Sequence, residues 1–203
     1  MGGQMQLKTS RSLAASLAAV ALATSFAAKA DIVNNGGFET GDFTGWAQFG
    51  DTSFSGVDGA DPHDGTYAAF FGPSGIGGIT QDIPTLPGRF YTIDFWLQSE
   101  SDFNGAATPN SFEFDWGGIQ EFVLTNAPAT AYTHYTFNLK ATSPTTQLKF
   151  AFTNVPAFWD FDSVSARIPE PGSLALFGLA GALLLFALRR REVPAGVQSG
   201  SAI

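Results

Sequence analysis

Few side chains in this sequence are equipped for chemistry, and their spacing narrows the list further. Of 203 residues, 18 are Asp or Glu, 10 are Lys or Arg, two are His and none is Cys. Without cysteine there is no disulfide framework, no thiolate zinc site and no thiol nucleophile. Two histidines, His63 and His134, are too few for most metal-hydrolase and triad chemistries. Ser74 sits in Gly72-Pro73-Ser74-Gly75-Ile76, where Ile76 replaces the last glycine of a nucleophile elbow. Glu113, Asp115 and Glu121 would serve a glycoside hydrolase only if two of them faced each other across about 5–9.5 Å. Their alternation along one strand predicts a wet face instead. Asp51, Asp58, Asp61 and Asp64 lie in a Gly-rich stretch without the twelfth-position Glu of an EF-hand, and a solvated loop is the expectation there.

Aromatic side chains are the richer resource. Residues 31–168 hold 17 Phe, 4 Trp and 4 Tyr. Exposed rings can stack on pyranose faces while Asp, Asn and Gln bind hydroxyls. Phe90 and Trp96 qualify because they alternate away from the main apolar face of their strand; Trp46, Trp116 and Trp159 are further candidates for glycan contact. Trp is more often core than platform, which weighs against each of them singly.

These residues must be held by strands. Tyr91 to Gln98 alternates with Tyr91, Ile93, Phe95 and Leu97 on one face. Phe112–Trp116, Tyr135–Lys140 and Leu148–Phe152 alternate as well, and Thr66–Phe71 and Ile79–Ile83 add two earlier strands. Leu86-Pro87-Gly88-Arg89 has Pro and Gly where a type II turn needs them. Sustained helical periodicity is missing from residues 31–168. About seven to nine short strands with one apolar face each predict an all-β fold of two packed sheets, a β-sandwich.

Both ends of the chain read as addresses. Lys8 and Arg11 precede the short apolar run Leu13–Ala23, and Ala28-Lys29-Ala30 is a small-x-small cleavage site, so residues 1–30 are expected to be a signal peptide removed by signal peptidase before Asp31. Near the other end Pro169-Glu170-Pro171 precedes Gly172-Ser173, the apolar run Leu174–Leu188 and Arg189-Arg190-Arg191. Fifteen residues make a helix of about 22 Å, short of the hydrocarbon core of about 30 Å; with Gly172 and Ser173 included and the arginines snorkelling, a span is expected with some thinning of the bilayer. The run is apolar on every side, unlike an amphipathic helix. The arginine triplet holds its own end in the cytoplasm and leaves residues 31–168 outside. Residues 192–203 are polar and expected to be disordered. Between the addresses the charge is four basic residues against sixteen acidic, a net −12, which excludes a nucleic-acid surface.

The order Pro-Glu-Pro, hydrophobic helix, basic cluster resembles the PEP-CTERM sorting signal of Gram-negative bacteria. The resemblance implies recognition of residues 169–191 by an exosortase-type enzyme in the inner membrane, a transient anchor, and a final location at the cell surface or outside the cell. Asn35-Gly36-Gly37-Phe38-Glu39 before Trp46, with Phe161-Asp162-Ser163-Val164 closing the domain, resembles the galactose-binding-like jelly rolls that include carbohydrate-binding modules. That resemblance implies a jelly-roll sandwich and a structural calcium between first and last strands, held by Glu39 and Asp162 side chains and by carbonyls near Gly41 and Asp64. Ser163 stands where many such modules have a second Asp or Asn. The expected function is a non-enzymatic, exported matrix or surface protein whose sandwich binds polysaccharide. A structural envelope protein without a small ligand and a glycan-active hydrolase are the alternatives.

Overall fold

Ten strands form, each antiparallel to its neighbours, in a computed structural model that describes residues 31–169 apart from 103 and 107. The expected signal peptide, the 173–188 helix, the arginine triplet and the 192–203 tail lie outside the described residues. The strands are β1 (Ala47–Gly50), β2 (Ser55–Asp58), β3 (Ala68–Phe71), β4 (Gly77–Pro84), β5 (Phe90–Ser99), β6 (Asn110–Trp116), β7 (Ile119–Thr125), β8 (Thr130–Lys140), β9 (Thr145–Asn154) and β10 (Trp159–Arg167). One sheet has the order β1-β4-β9-β6-β7 and the other β2-β3-β10-β5-β8. The expected strands all form, but the count exceeds the seven to nine read from the sequence. β1 and β2 are only four residues each and lie at sheet edges, too short for an alternation to show. In β7, Phe114 pairs with Phe122 and Asp115 with Gln120, so Glu121 is an extra residue that breaks the period of two.

Alternation decides which side chains meet. Ile79, Ile83, Phe112, Phe114, Trp116, Phe150 and Phe152 of the first sheet pack against Phe71, Tyr91, Ile93, Phe95, Leu97 and Phe161 of the second, all buried. Phe71 stacks on Phe152 at 4.0 Å and Phe150 meets Phe161 at 4.7 Å, which ties β3 and β10 of one sheet to the central strand β9 of the other. Each such ring contributes about 2–3 kcal/mol by leaving water. On the side where β7 and β8 are both edges, Phe122 closes the sandwich against Tyr135 at 5.0 Å and Phe137 at 5.6 Å.

Two local features explain landmark sequences. Arg89 N–H donates to the Leu86 carbonyl and Gly88 has φ 83°, the turn expected from Pro-Gly. Gly36 runs so close to β10 that a Cβ there would lie 1.9 Å from the Val164 carbonyl oxygen, while Val164 N–H donates to the Gly36 carbonyl. The backbone can approach this closely only without a side chain. The next residues then turn Phe38 into the core, where it is fully buried against Trp46 and Phe161.

Candidate functional site

Glu39 and Asp162 are acceptors that dock one loop. Asp162 Oδ2 accepts the N–H groups of His63 at 3.0 Å and Asp64 at 3.1 Å, and its Oδ1 accepts that of Ser163. Glu39 accepts Thr66 N–H on both carboxylate oxygens and Tyr67 N–H on Oε1 at 3.1 Å. Gly65 leaves the room for this, since a Cβ there would lie 2.2 Å from Glu39 Oε1. The stretch 50–64, expected to be a solvated loop, is corrected: Ser55–Asp58 forms β2, and His63 and Asp64, with Thr66 and Tyr67 after them, are docked on the sandwich. Burial holds the Asp162 carboxyl above its ordinary range, partly offset by the backbone N–H groups of Asp64, Ser163 and His63.

The docked loop completes a surface on the outer face of the second sheet. Even-numbered residues of β5 point there, and Trp96 is cross-strand partner of His134 on β8 and of Asp162 on β10. Trp96 stacks with His63 at 3.9 Å and with His134 at 4.8 Å. Tyr132 meets His63 edge-on at 5.3 Å, and its hydroxyl donates to the Asp61 carbonyl. One step along, Gln98 Nε2 donates to Asp61 at 2.6 Å and to Asp160 at 3.1 Å. Asp160 is buried, and that burial together with the neighbouring charges of Glu100 and Asp61 pushes its carboxyl up to about 7. Burial, then Asp61, raises Glu100 as well. Tyr132 is pushed well above its ordinary range, by burial first and by the surrounding carboxylates second. Beside this cluster a groove of about 550 Å³ runs between Gln98–Asp102 and Ala129–Ala131. The surface thus combines aromatic edges, an amide and an excess of acceptors, the inventory that binds sugar hydroxyls.

The tryptophans expected on the sugar side divide. Trp96 is on this face, half-buried. Trp46, Trp116 and Trp159 are core residues with 7%, 4% and 1% exposure, and their indole N–H groups donate to the carbonyls of Asn35, Lys140 and Thr153. They are corrected from the candidate list, because a ring buried between sheets offers no face to a ligand. Phe90 is exposed but lies at the opposite end of β5 from Gln98. Glu113 and Asp115 share Lys149 at 3.3 and 2.8 Å on the outer face of the other sheet. Asp115 is buried there, so the wet strand face expected of them is corrected to a partly covered ion-pair cluster. His63, Asp61, Gln98, Tyr132 and Asp160 were missed. Gln98 and Trp96 share an alternation that the sequence displays, but Asp61 and His63 join them only because Asp162 docks their loop.

For calcium, Glu39 and Asp162 are neighbours, since a Cβ on Gly37 would lie 3.8 Å from Glu39 Cγ and 3.9 Å from Asp162 Oδ1. Each carboxylate has four lone pairs, and each already makes three contacts with backbone N–H groups, leaving about one apiece. Calcium takes six to eight oxygens. Carbonyls and water would have to supply the rest, since among the described residues no group of three or more His, Asp or Glu side chains is placed to hold a metal.

A family model describing the PEP-CTERM protein-sorting motif matches residues 167–191. The chain carries a PEP-CTERM sorting signal. Its sandwich is similar in fold to solved modules. TmCBM61, solved in complex with beta-1,4-galactotriose, is 20% identical, with 69% of this chain and 99% of that chain covered and a TM-score of 0.56. The CBM22-1 xylan-binding domain from Paenibacillus barcinonensis Xyn10C is 14% identical over 71% of this chain and 99% of that one, with a TM-score of 0.51. The enzymatically active domain of bacteriophage CBA120 tailspike protein 4 is 13% identical, with 68% of this chain but 21% of that chain covered and a TM-score of 0.53. A sequence comparison with curated proteins gives no match. Such likenesses show the β-sandwich fold alone, and a fold hosts many functions.

Proposed function

We propose that this PEP-CTERM chain is exported, held transiently in the inner membrane by residues 173–188, processed near Pro169-Glu170-Pro171 by an exosortase-type enzyme, and delivered to the cell surface or matrix, where its sandwich binds polysaccharide without cleaving it. The observation that supports binding most is the convergence of Trp96, Gln98 and Tyr132 with Asp61, Glu100 and Asp160 beside an open groove. Acceptors in excess over donors suit a ligand that brings many hydroxyl donors, and a neutral glycan avoids the repulsion an acidic one would meet.

A glycan array probed with residues 31–168 tests this. The expected result is saturable binding of a neutral glycan, lost in Trp96→Ala and weakened in Gln98→Ala, with Trp116→Phe unaffected. Binding unchanged by both outer-face variants, or none to any glycan, overturns the reading in favour of a structural role. Release of reducing sugar that disappears in Glu100→Gln would instead make the chain a hydrolase.

Calcium forms part of the same proposal, held by one free lone pair each of Glu39 and Asp162 with carbonyls near Gly41 and Asp64. It would relieve the burial of the Asp162 charge. A ligand that binds only the folded state stabilises it, so calcium should raise the melting temperature over that in chelator, and Asp162→Asn should remove the gain.

A further inference from the structure

The end of the sandwich from which the chain departs has a composition unlike the rest. The cross-strand partners Phe90 and Lys140 cap one end of β5 and β8, and Arg167, the last residue of β10, lies beside Thr92 on β5. Arg89 adjoins Phe90 and closes the turn back to Leu86. On the other sheet the β6–β7 hairpin reaches the same end, because Trp116 donates its indole N–H to the Lys140 carbonyl and pairs with Ile119. Leu86, Phe90 and Ile119 are 56%, 52% and 62% exposed. So three of the four basic residues between 31 and 168 lie at the same end as three exposed apolar ones, with the acidic Asp31 beside Ala166 there too, in a domain of net −12. The fourth, Lys149, is neutralised by Glu113 and Asp115. Arg167 is paired with Asp94 at 2.6 Å, whereas Arg89 and Lys140 have no carboxylate within ion-pair distance among the described residues.

The departing chain identifies what this end faces. From Arg167 to Leu174, where the apolar run begins, is seven residues, a tether of at most about 25 Å. If residues 173–188 span the membrane, the sandwich cannot move far from the bilayer, and the end carrying Arg167 is the nearest. Exposed apolar side chains beside the unpaired Arg89 and Lys140 match an anionic lipid surface, where rings sit at the headgroup boundary and Lys and Arg find phosphate. We propose that Leu86, Phe90 and Ile119, with Arg89, Lys140 and Arg167, seat the sandwich on the anionic phospholipid bilayer into which the same chain is inserted. This inference rests on the anchor reading above. Its consequence is that Pro169-Glu170-Pro171 is held at the membrane surface and the groove at the far end of β5 points away from it.

The cysteine-free chain allows a single label. Full-length Phe90→Cys and, from the opposite end of the sandwich, Ile76→Cys are each labelled with an environment-sensitive fluorophore. Both are reconstituted in vesicles of phosphatidylcholine alone or mixed with phosphatidylglycerol, with a lipid-borne quencher. Expected is a blue shift and quenching at position 90 only, in the mixed vesicles, lost at high salt and in the Arg89→Glu/Lys140→Glu background. Equal signals at 90 and 76, or no dependence on phosphatidylglycerol, overturns the proposal. A signal at 90 that follows protein density and not lipid charge also overturns it, in favour of self-association. An alkaline wash separates the two readings: chain that washes off the vesicles refutes the anchor, while chain that stays without quenching at 90 refutes only the seating.

Discussion

Replacing Asp162 by Ala tests how the outer face is assembled. The substitution removes the acceptor of His63, Asp64 and Ser163 N–H groups, the first two belonging to the docked loop. Hydrogen bonds to an ionised acceptor contribute about 1.5–3 kcal/mol each. The gain is partly offset because burial disfavours the charged carboxylate and holds it above its ordinary range. With two loop bonds counted and that offset taken, the net loss should be about 3 kcal/mol, or about 10 °C in melting temperature for a domain of this size. The damage should also be local. Without its anchor His63 leaves Trp96, against which it now stacks at 3.9 Å, so Trp96 fluorescence should change before global unfolding. Urea titration followed by tryptophan fluorescence and by far-ultraviolet circular dichroism, in chelator, reads both effects. Coupling between Asp162→Ala and His63→Ala in a double-mutant cycle should be of order 1 kcal/mol. A loss under about 0.5 kcal/mol, typical of an ordinary surface carboxylate, or coincident transitions with unchanged native fluorescence, would refute the positioning role.

Further outcomes are specific. Asp160 has its carboxyl raised to about 7, so the folded state holds its proton more tightly than the unfolded chain does. The Asp160 contribution to stability should therefore be fully present below about pH 4 and be lost as pH rises towards and past 7, so Asp160→Asn should flatten the fall in melting temperature between about pH 5 and 8, followed in chelator. Trp159→Ala, which empties a fully buried site, should cost about 3–5 kcal/mol in urea unfolding, whereas Trp96→Ala should cost under about 1.5 and act on glycan binding. Gly36→Ala puts a Cβ 1.9 Å from the Val164 carbonyl and should cost about 3 kcal/mol or prevent folding, read by melting temperature and yield. Alanines in place of Pro169-Glu170-Pro171 should leave full-length protein in the inner-membrane fraction, seen by fractionation and mass; normal loss of the C-terminal segment would show that the motif is not read.

Much of this protein is written in local sequence. Strand residues such as Tyr91–Leu97 and Phe112–Trp116 announce themselves because pleating sends alternate side chains to opposite faces, and burial selects their types at a period of two. The sorting segment is legible for a similar reason, since hydropathy, proline and arginine act there without folded context. Which aromatics lie on the outside was legible only in part: alternation marks Phe90 and Trp96, but not the burial of the other tryptophans. Trp46, Trp116 and Trp159 differ from Trp96 by the layer in which packing places them. The outer face was invisible too, because Asp61 and His63 reach Gln98 and Trp96 through a loop fixed by Asp162, about a hundred residues away in sequence. The same holds for the basic end, whose Arg89, Lys140 and Arg167 come from three strands or turns that only the antiparallel register aligns. Periodicity reports which side of one strand is buried; which strands lie together, and so which outward side chains act as a group, is set by sheet order and by long-range hydrogen bonds.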